Sequence, residues 1–299
     1  MRVAAIDVGT NTVLCLVADV APTGRLTVLA DEERFARLGA GVDATGRLSV
    51  AAMDRVLDRL TASKATAERF GAELIVIGAT SASRDAENVD VLIERVRREL
   101  GLDYRVRSGE DEALLAFRGT LAMVPGVEAA CVLDVGGGST EVVVGRAGEA
   151  PAFRLSLGVG SVRLTERCFA ALPPSAAGIA EAEALVDAAL AAVPEPVLRG
   201  LPLVEGGGTA RVLTRLAEIG GEAPTVPASV VRSWRDRLLA LSPPAVRALA
   251  PDVLTGREDV TGTAALILDV VMRRFGFDAF VASPGGFRHG LALEAAGGG

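Results

Sequence analysis

The chain has 299 residues, half of them hydrophobic and 4% aromatic, with a formal net charge of −7. This length allows one large domain or two of ordinary size. The acidic balance argues against a general nucleic-acid-binding protein, because no surplus of positive charge can displace phosphate counterions. No apolar run approaches the ~20 residues of a membrane-spanning helix, and Asp7 comes too early for a secretion signal, so we expect a cytoplasmic protein without membrane contact.

The first half of the chain alternates apolar strands with helical patterns. Met53, Val56, Leu57 and Leu60 recur at helical spacing, which predicts a helix with Ser49 as its N-cap. In chain order, the predicted elements are strands at residues 3–6, 12–20, 25–30 and 34–38, the helix after Ser49, a strand at 74–77, a helix at 89–100 closed by Gly101, a strand at 104–107 and a helix at 110–123.

The second half begins in the same way, after the break at Pro125-Gly126. The predicted elements are strands at residues 130–135, 141–145 and 153–157, a helix at 176–193, a strand at 201–204, helices at 210–219, 229–241 and 262–275, a strand at 279–282 and a frayed glycine tail. Mixed strands and helices in both halves predict two α/β domains, residues 1–125 and 126–299, with the last helix as a candidate for packing back on the first domain.

A repeated glycine loop is the most informative feature of the sequence. Residues 7–12 read D-V-G-T-N-T and residues 134–140 read D-V-G-G-G-S-T, each between two apolar strands. Glycine lets the backbone approach a ligand closely, and the N–H groups of such a turn form an anion-binding concavity. The acids Asp7 and Asp134 would hold Mg²⁺ or orient a water molecule. The repeat predicts duplicated domains whose loops face one cleft.

A third glycine run lies at residues 206–209, after a predicted strand and before a predicted helix. Gly207 and Gly208 precede Thr209, which is a candidate N-cap. The free amides and positive dipole end of a helix N-terminus suit a phosphate group. We therefore include Gly207, Gly208 and Thr209 among the candidate phosphate-binding residues.

The rarer residue types exclude several kinds of chemistry. Lys64 is the only lysine, so the lysine-containing loop of P-loop NTPases is absent. His289 is the only histidine, and it is expected to be a turn residue rather than a catalytic group. The three cysteines are widely spaced and are expected to be buried thiols. Acid–base chemistry therefore falls to Asp and Glu.

The order of these motifs resembles the superfamily of sugar kinases, actin and heat-shock chaperones. Three further segments resemble the exopolyphosphatase/guanosine pentaphosphate phosphatase family: A-T-S-A-S-R-D-A-E-N at residues 79–88, S-G-E-D-E-A at 108–113 and S-L-G-V-G-S-V-R-L-T-E at 156–166. The resemblance covers nearly the whole chain. It implies two ribonuclease H-like (actin-like ATPase) domains with an interdomain cleft.

The resemblance also implies roles for individual residues. Glu112 matches the catalytic acid that activates the attacking water, and Glu141 matches a second essential acid. The implied phosphate-binding residues are Gly9, Thr10, Asn11 and Thr12 in the first loop, Gly136, Gly137, Gly138, Ser139 and Thr140 in the second, and Arg84. The residues themselves do not single out Glu112 from Glu110 and Asp111, since acids are favoured throughout the first turn of a helix.

The expected activity is removal of the terminal phosphate from inorganic polyphosphate, and possibly from guanosine pentaphosphate. Mg²⁺ (or Mn²⁺) would be held by Asp7, Asp134 and Glu141, while amides and Arg84 offset charge on the transferring group. A homodimer is expected from the resemblance only. The alternatives are a small-molecule kinase of the same superfamily and a non-catalytic nucleotide or alarmone sensor, since a shared fold does not fix the chemistry.

Other charged and aromatic residues are assigned to ordinary surface or core roles. Five arginines could line a polyanion path, but each is expected to be solvated, as most arginines are: Arg163, Arg257, Arg273, Arg274 and Arg288. Trp234 and Tyr104 are expected to be core or rim residues rather than a platform for stacking a base. The small aromatic content therefore favours polyphosphate over a guanine nucleotide.

Overall fold

The computed structural model describes residues 1–198, 200–221 and 223–297. The chain divides into two compact units: unit 1 combines Met1–Ala122 with the C-terminal segment from Gly285, and unit 2 is Met123–Pro284. The sequence-based division differs in placing the boundary after residue 125 and in giving the C-terminal segment to the second domain. Both units are α/β, as predicted.

Unit 1 is built on a five-stranded mixed sheet. Its strands are β1 (Arg2–Val8), β2 (Thr12–Val20), β3 (Leu26–Phe35), β4 (Leu74–Ala79) and β5 (Tyr104–Val106), in the order β3-β2-β1-β4-β5. Strands β1 to β3 form an antiparallel meander, and β4 and β5 run parallel to β1. Alternate residues of β1 enter different hydrophobic clusters, with Ile6 on one face and Val3 on the other. The sheet is therefore buried on both faces, so its central strands read as continuous apolar runs.

The helices of the first half lie between these strands. They are α1 (Val42–Thr45), α2 (Val50–Arg69), α3 (Ser81–Asp85), α4 (Val89–Leu100) and α5 (Gly109–Ala122). The predicted caps are confirmed: the Ser49 hydroxyl accepts from the amide of Ala52 at the start of α2, and Gly101 ends α4 in a left-handed conformation. Helices α2 and α4 contribute to the cluster that contains Ile6, whereas Leu115 of α5 joins the cluster that contains Val3.

Unit 2 has a six-stranded sheet with seven helices in the described part of the chain. The strands are β6 (Ala129–Val135), β7 (Thr140–Arg146), β8 (Phe153–Leu157), β9 (Leu203–Gly206), β10 (Thr225–Pro227) and β11 (Ala279–Ser283), in the order β10-β11-β9-β6-β7-β8. The helices are α6 (Ser161–Cys168), α7 (Ala176–Leu190), α8 (Gly208–Leu216), α9 (Ala228–Leu239), α10 (Pro243–Leu249), α11 (Pro251–Leu254) and α12 (Thr261–Phe275). One core joins the sheet to the helices, with Leu133, Val186 and Ile267 among its buried members.

The two sheets repeat one topology, which confirms the predicted duplication. The order β3-β2-β1-β4-β5 in unit 1 corresponds to β8-β7-β6-β9-β11 in unit 2. In each unit the first strand pairs antiparallel with the second and parallel with the fourth. The register also corresponds, since Asp7 lies opposite Leu14 and Asp134 lies opposite Glu141.

The last helix, α13 (Phe287–Ala295), belongs to unit 1. Its residues Phe287 and Leu291 join the cluster of Val3 and Leu115. Two ion pairs fix it further: Arg288 with Asp31, and Arg107 with Glu294.

His289 lies in α13 and is buried, so its prediction as a turn residue is wrong. The apolar setting lowers the pKa of His289 to about 3 and keeps the imidazole neutral at pH 7.

Several local predictions differ from the structure. The two strands predicted at 25–30 and 34–38 are replaced by the single strand β3, which ends at Phe35. The acids at 31–33 do not interrupt it, because it is an edge strand that tolerates polar residues. The helix predicted at 176–193 ends at Leu190. The short helices α1, α3, α6, α10 and α11 were missed, since few residues give little periodicity. The three cysteines are buried, as predicted, and of the predicted glycine tail Gly298 and Gly299 lie outside the described residues.

Candidate functional site

The first loop, residues 9–12, closes with a hydrogen bond from the Gly9 amide to the Thr12 carbonyl, 2.9 Å. The segment after β3 binds this loop from behind. The amide of Gly39 donates to the Thr10 carbonyl, and the amides of Ala36 and Arg37 both donate to the Asn11 carbonyl.

Gly39 is required for the close approach of this segment to the loop. A Cβ at Gly39 would lie 2.2 Å from the Thr10 methyl carbon. Arg37 adopts a left-handed φ of 48°, which is unusual for a residue other than glycine. The carbonyl side of the first loop is therefore held by backbone amides.

Three parallel strands place the candidate residues of unit 1 at one edge of the sheet, the edge formed by the carboxyl ends of these strands. The carboxyl ends of β1, β4 and β5 are neighbours in the register. The first loop follows β1, Thr80 and α3 follow β4, and α5 follows β5 after a short turn. Ligands of open α/β sheets bind at this edge, so the predicted first loop, Arg84 and Glu112 share the expected position.

Glu112 is the buried acid of this edge. Its residue is 8% exposed, and Arg84 of α3 donates to one carboxylate oxygen at 2.5 Å. Burial raises the pKa of Glu112 above its usual value, against the opposing effects of Arg84 and the Thr80 hydroxyl. The neighbouring Glu110 and Asp111 are exposed. The structure thus separates Glu112 from its neighbours, which the sequence pattern alone could not do.

Arg84 links α3 to the start of α5. One guanidinium nitrogen donates both to the Arg107 carbonyl, at 3.1 Å, and to Glu112. The phosphate contact predicted for Arg84 stays a prediction, and in this structure the side chain orients the carboxylate of Glu112. Asp7 lies near the end of β1 and is half-buried. The pKa of Tyr104 is raised mainly by the burial of Tyr104 itself and also by the charge of Asp7.

The second loop, residues 136–139, has the same closing bond, from the Gly136 amide to the Ser139 carbonyl at 3.0 Å. The segment after β8 again binds it from behind, here as the first turn of α6. A Cβ at Gly160 would lie 2.5 Å from backbone atoms of Gly137 and Gly138. Thr140 is fully buried and its hydroxyl donates to the Val159 carbonyl at 2.6 Å, so that group stabilises the loop in this structure.

Asp134 and Glu141 are cross-strand neighbours on β6 and β7. Glu141 is buried, and the hydroxyl of Ser156 donates to its Oε1 at 2.7 Å. The structure thus brings together two of the three predicted metal-binding acids, while Asp7 belongs to unit 1. No group of three or more His, Cys, Asp or Glu residues suited to a metal ion occurs in the described ranges. A magnesium ion that keeps several waters and binds substrate phosphate needs only one or two carboxylates, a number that Asp134 and Glu141 can supply.

The third glycine run follows β9, whose carboxyl end neighbours that of β6. Helix α8 begins at Gly208, with Gly207 at the N-cap and a positive φ of 84°, so the prediction of Thr209 as N-cap is wrong. Arg257 lies against this turn, since its Nη1 is 2.4 Å from a Cβ built at Gly208.

Arg257 is 9% exposed, and its prediction as a solvated residue is therefore wrong. Burial lowers the pKa of Arg257 to about 10, which still leaves the guanidinium charged at pH 7.

Glu205 was missed by the sequence analysis. It lies on β9 next to the glycine run and is 0% exposed. The backbone amides of Ala210 and Val135 approach its carboxylate and oppose the rise of its pKa, but neither makes a hydrogen bond of good geometry. Burial, and then the charge of Asp134, raise the pKa of Glu205 well above its usual value. The available signal was an acid before glycines in V-E-G-G-G-T, the same pattern that identified Asp7 and Asp134.

No helix in the described part of the chain is both long and apolar enough to cross a lipid bilayer.

Comparisons with known proteins place the whole chain beside one group of phosphatases. Residues 16–297 match the sequence pattern of the Ppx/GppA phosphatase family. Exopolyphosphatase 2 of Mycobacterium tuberculosis is 35% identical, over 99% of this chain and 99% of its own. A guanosine-5'-triphosphate,3'-diphosphate pyrophosphatase of Photobacterium profundum is 36% identical, over 56% of this chain and 33% of its own. The crystal structure of an exopolyphosphatase from Cytophaga hutchinsonii superposes with a TM-score of 0.89 at 27% identity, covering 99% of this chain and 98% of the other.

Proposed function

This chain belongs to the Ppx/GppA phosphatase family, and we propose that it hydrolyses phosphoric anhydride bonds, releasing the terminal phosphate of inorganic polyphosphate. The observation that carries the proposal is the placement of Glu112. It is a buried carboxylate with a raised pKa, and it lies at the strand edge that also bears the first loop. A general base needs this kind of environment, because its pKa must approach the working pH.

Inorganic polyphosphate is the favoured substrate over guanosine pentaphosphate. The relative that matches over its full length carries the name exopolyphosphatase, whereas the pyrophosphatase relative matches just over half of this chain. The candidate stacking residues also support this choice. Tyr104 is buried, and Arg237 covers the ring of Trp234 at 4.8 Å. Neither ring is placed as an open platform for guanine.

The proposed chemistry is in-line attack of water on the terminal phosphorus. The water oxygen forms the new bond to phosphorus, its proton passes to Glu112, and the bridging oxygen leaves with the shortened chain. Arg84 holds the carboxylate of Glu112 in place. The amides of the second loop bind oxygens of the transferring group, because backbone N–H groups that are already oriented stabilise charge without reorganisation.

A divalent cation, Mg²⁺ or Mn²⁺, is part of the proposal. Asp134 and Glu141 are the residues of this chain that would hold it, together with substrate oxygens and water. When bound, the ion supplies charge neutralisation on the phosphate groups. Asp7 is a candidate for an outer contact through water. We also propose a homodimer in the cytoplasm, on family resemblance; sedimentation velocity tests the dimer.

Phosphate release tests the function directly. The purified chain is given long polyphosphate, short polyphosphate, guanosine pentaphosphate and ATP side by side, each with Mg²⁺ and with EDTA. We expect metal-dependent release from polyphosphate. Release from guanosine pentaphosphate alone would change the substrate. ATP-dependent phosphorylation of a small molecule, or tight nucleotide binding without any release, would replace the proposal by the kinase or the sensor.

A further inference from the structure

Every carbonyl oxygen along the second loop, from Gly136 to Gly138, accepts a hydrogen bond from the first turn of α6. The Gly136 carbonyl accepts from the amide and hydroxyl of Ser161 at 2.9 and 3.2 Å. The Gly137 carbonyl accepts from the amides of Val162 and Arg163 at 2.8 and 3.1 Å. The Gly138 carbonyl accepts from Nε of the Arg163 side chain at 2.8 Å. The loop is thus held from one side, peptide by peptide.

This bonding fixes the direction of the amide groups. The carbonyl of one residue and the N–H of the next lie in one rigid plane and point in opposite directions in a trans peptide. Three carbonyls that point at α6 therefore turn the N–H groups of Gly137, Gly138 and Ser139 away from it. In the described part of the chain, none of these three N–H groups donates to a protein oxygen. Successive outward N–H groups form an anion-binding nest.

We infer that Arg163 is a positioning residue that orients the Ser139 amide toward the terminal phosphoryl group of the substrate. The inference rests on the proposed function for its ligand, a phosphoryl group whose oxygens would accept from the three amides. Arg163 does not touch the substrate in this role. It acts through the Gly138–Ser139 peptide. Of the three loop carbonyls, that of Gly138 is the one that accepts from a side chain and from no backbone amide within the described residues.

The position of Arg163 in the fold supports a built-in role. It lies on the first turn of α6 and is half-buried, rather than solvated as its residue type predicts. Leu164 and Thr165 next to it are buried in the body of unit 2, and the Thr165 hydroxyl bonds Thr263 of α12 at 2.6 Å. The helix that carries Arg163 is thereby anchored, so the guanidinium can fix the loop.

The test follows the three amides individually by ¹⁵N-resolved NMR of the full chain during titration with methylenediphosphonate, a non-hydrolysable phosphate anhydride analogue. In the wild type, we expect the amide protons of Gly137, Gly138 and Ser139 to move downfield together. In Arg163→Met, the Ser139 shift should be lost. The Gly137 and Gly138 amides should still respond, because backbone amides of α6 orient the peptide groups to which they belong. Arg163→Lys, which keeps a donor, should recover part of the Ser139 response.

The matched control is Arg146→Met, the same change at an exposed arginine of β7 that pairs with exposed Glu128. It should titrate like the wild type. Retention of the full Ser139 shift in Arg163→Met, or absence of any shift of the three amides in the wild type, would overturn the inference. Dispersed spectra of the variants establish that they are folded.

A kinetic measurement separates this inference from the proposed function. With polyphosphate as substrate, Arg163→Met should lower kcat by about 10- to 100-fold with little change in KM, since a misplaced oxyanion donor costs mainly transition-state stabilisation. An unchanged kcat would also count against the inference. If no substrate releases phosphate but the three amides respond as described, the proposed hydrolysis fails and the orienting role of Arg163 stands.

Discussion

The two glycine loops, one in each unit, have the same backbone hydrogen bonding but differ in the side chains around them. Both follow the first strand of a sheet with the same strand order, and both close with one N–H to carbonyl bond, from Gly9 to Thr12 and from Gly136 to Ser139. Both are held from behind by the segment after the third strand, which contains a glycine at the point of closest approach. The conserved part of the duplication is the loop and its support.

The differences lie in the side chains around the loops. Opposite Asp7 the second strand carries Leu14, whereas opposite Asp134 it carries Glu141. Beside the first strand, β4 carries Ile77 where β9 carries Glu205. Unit 1 instead places its buried acid, Glu112, on α5. The groups proposed to bind phosphate and a cation thus lie in unit 2, and the proposed base lies in unit 1.

The first loop is also supported differently. Within the described residues its carbonyls accept only from backbone amides. Two arginines of α2 bind the supporting segment: Arg55 donates to the Ala36 carbonyl at 2.7 Å and Arg59 to the Phe35 carbonyl at 3.2 Å. In unit 2 an arginine binds the loop itself. An arginine change should therefore act on the loop more directly in unit 2 than in unit 1.

The largest effect is expected from Glu112→Gln, which removes the proposed base of unit 1. Phosphate release should fall by about 10³-fold. Because the raised pKa means that folding disfavours the ionised acid, the melting temperature should stay equal or rise. The control is Glu110→Gln, an exposed acid in the same helical turn. Near wild-type turnover in a folded Glu112→Gln protein would show that Glu112 is not the general base.

Gly160→Ala should have the next largest effect, because it attacks the support of the second loop. The added methyl would overlap backbone atoms of Gly137 and Gly138, which cannot rotate away. A displacement near 1 Å at a reacting group can cost about 100-fold in rate, and we expect a loss of that size in kcat. Gly158→Ala, where a Cβ meets nothing within 4 Å, is the control. Equal activity of the two variants would show that the support is dispensable.

Glu141→Gln tests the acid of unit 2 that occupies the position of Leu14 in unit 1. The amide keeps the hydrogen bond from Ser156 but loses the charge, so we expect a higher Mg²⁺ concentration for half-maximal activity, by about 10- to 100-fold. Glu149→Gln, an exposed acid in the same hairpin, should behave as the wild type. A Mg²⁺ dependence that does not change in Glu141→Gln would argue against a cation in unit 2.

The smallest effect, on stability alone, is expected from Glu205→Gln. The folded pKa of Glu205 is raised, so the folded state keeps a proton that the unfolded state releases above about pH 4.5. The free energy of unfolding therefore falls as pH rises from there to the raised pKa, by at most about 1.4 kcal/mol per pH unit from this group. Glu205→Gln should flatten this fall in denaturant unfolding between pH 5 and pH 8, whereas Glu128→Gln, an exposed acid, should not.

Much of this arrangement could be read from the sequence. Apolar strands with acids and glycines between them identified both loops, and the helix caps Ser49 and Gly101 were placed by local residue preferences that act over one turn. The order of the short motifs identified the family and, through it, predicted the catalytic roles of Glu112 and Glu141.

The sequence could not rank Glu112 above Glu110 and Asp111, because burial depends on what packs against α5 and not on the helix itself. Nor could it show that Arg163 binds the second loop, since the two are 25 residues apart and meet only when β8 returns beside β7. Glu205 and His289 were misjudged for the same reason: the surroundings that shift their pKa values come from distant segments. Sequence alone determined the loops, the strand pattern and the residue types available for chemistry. The tertiary structure decided which acids are buried, which arginines are occupied and which way the loop amides point, because each depends on contacts between segments far apart in the chain.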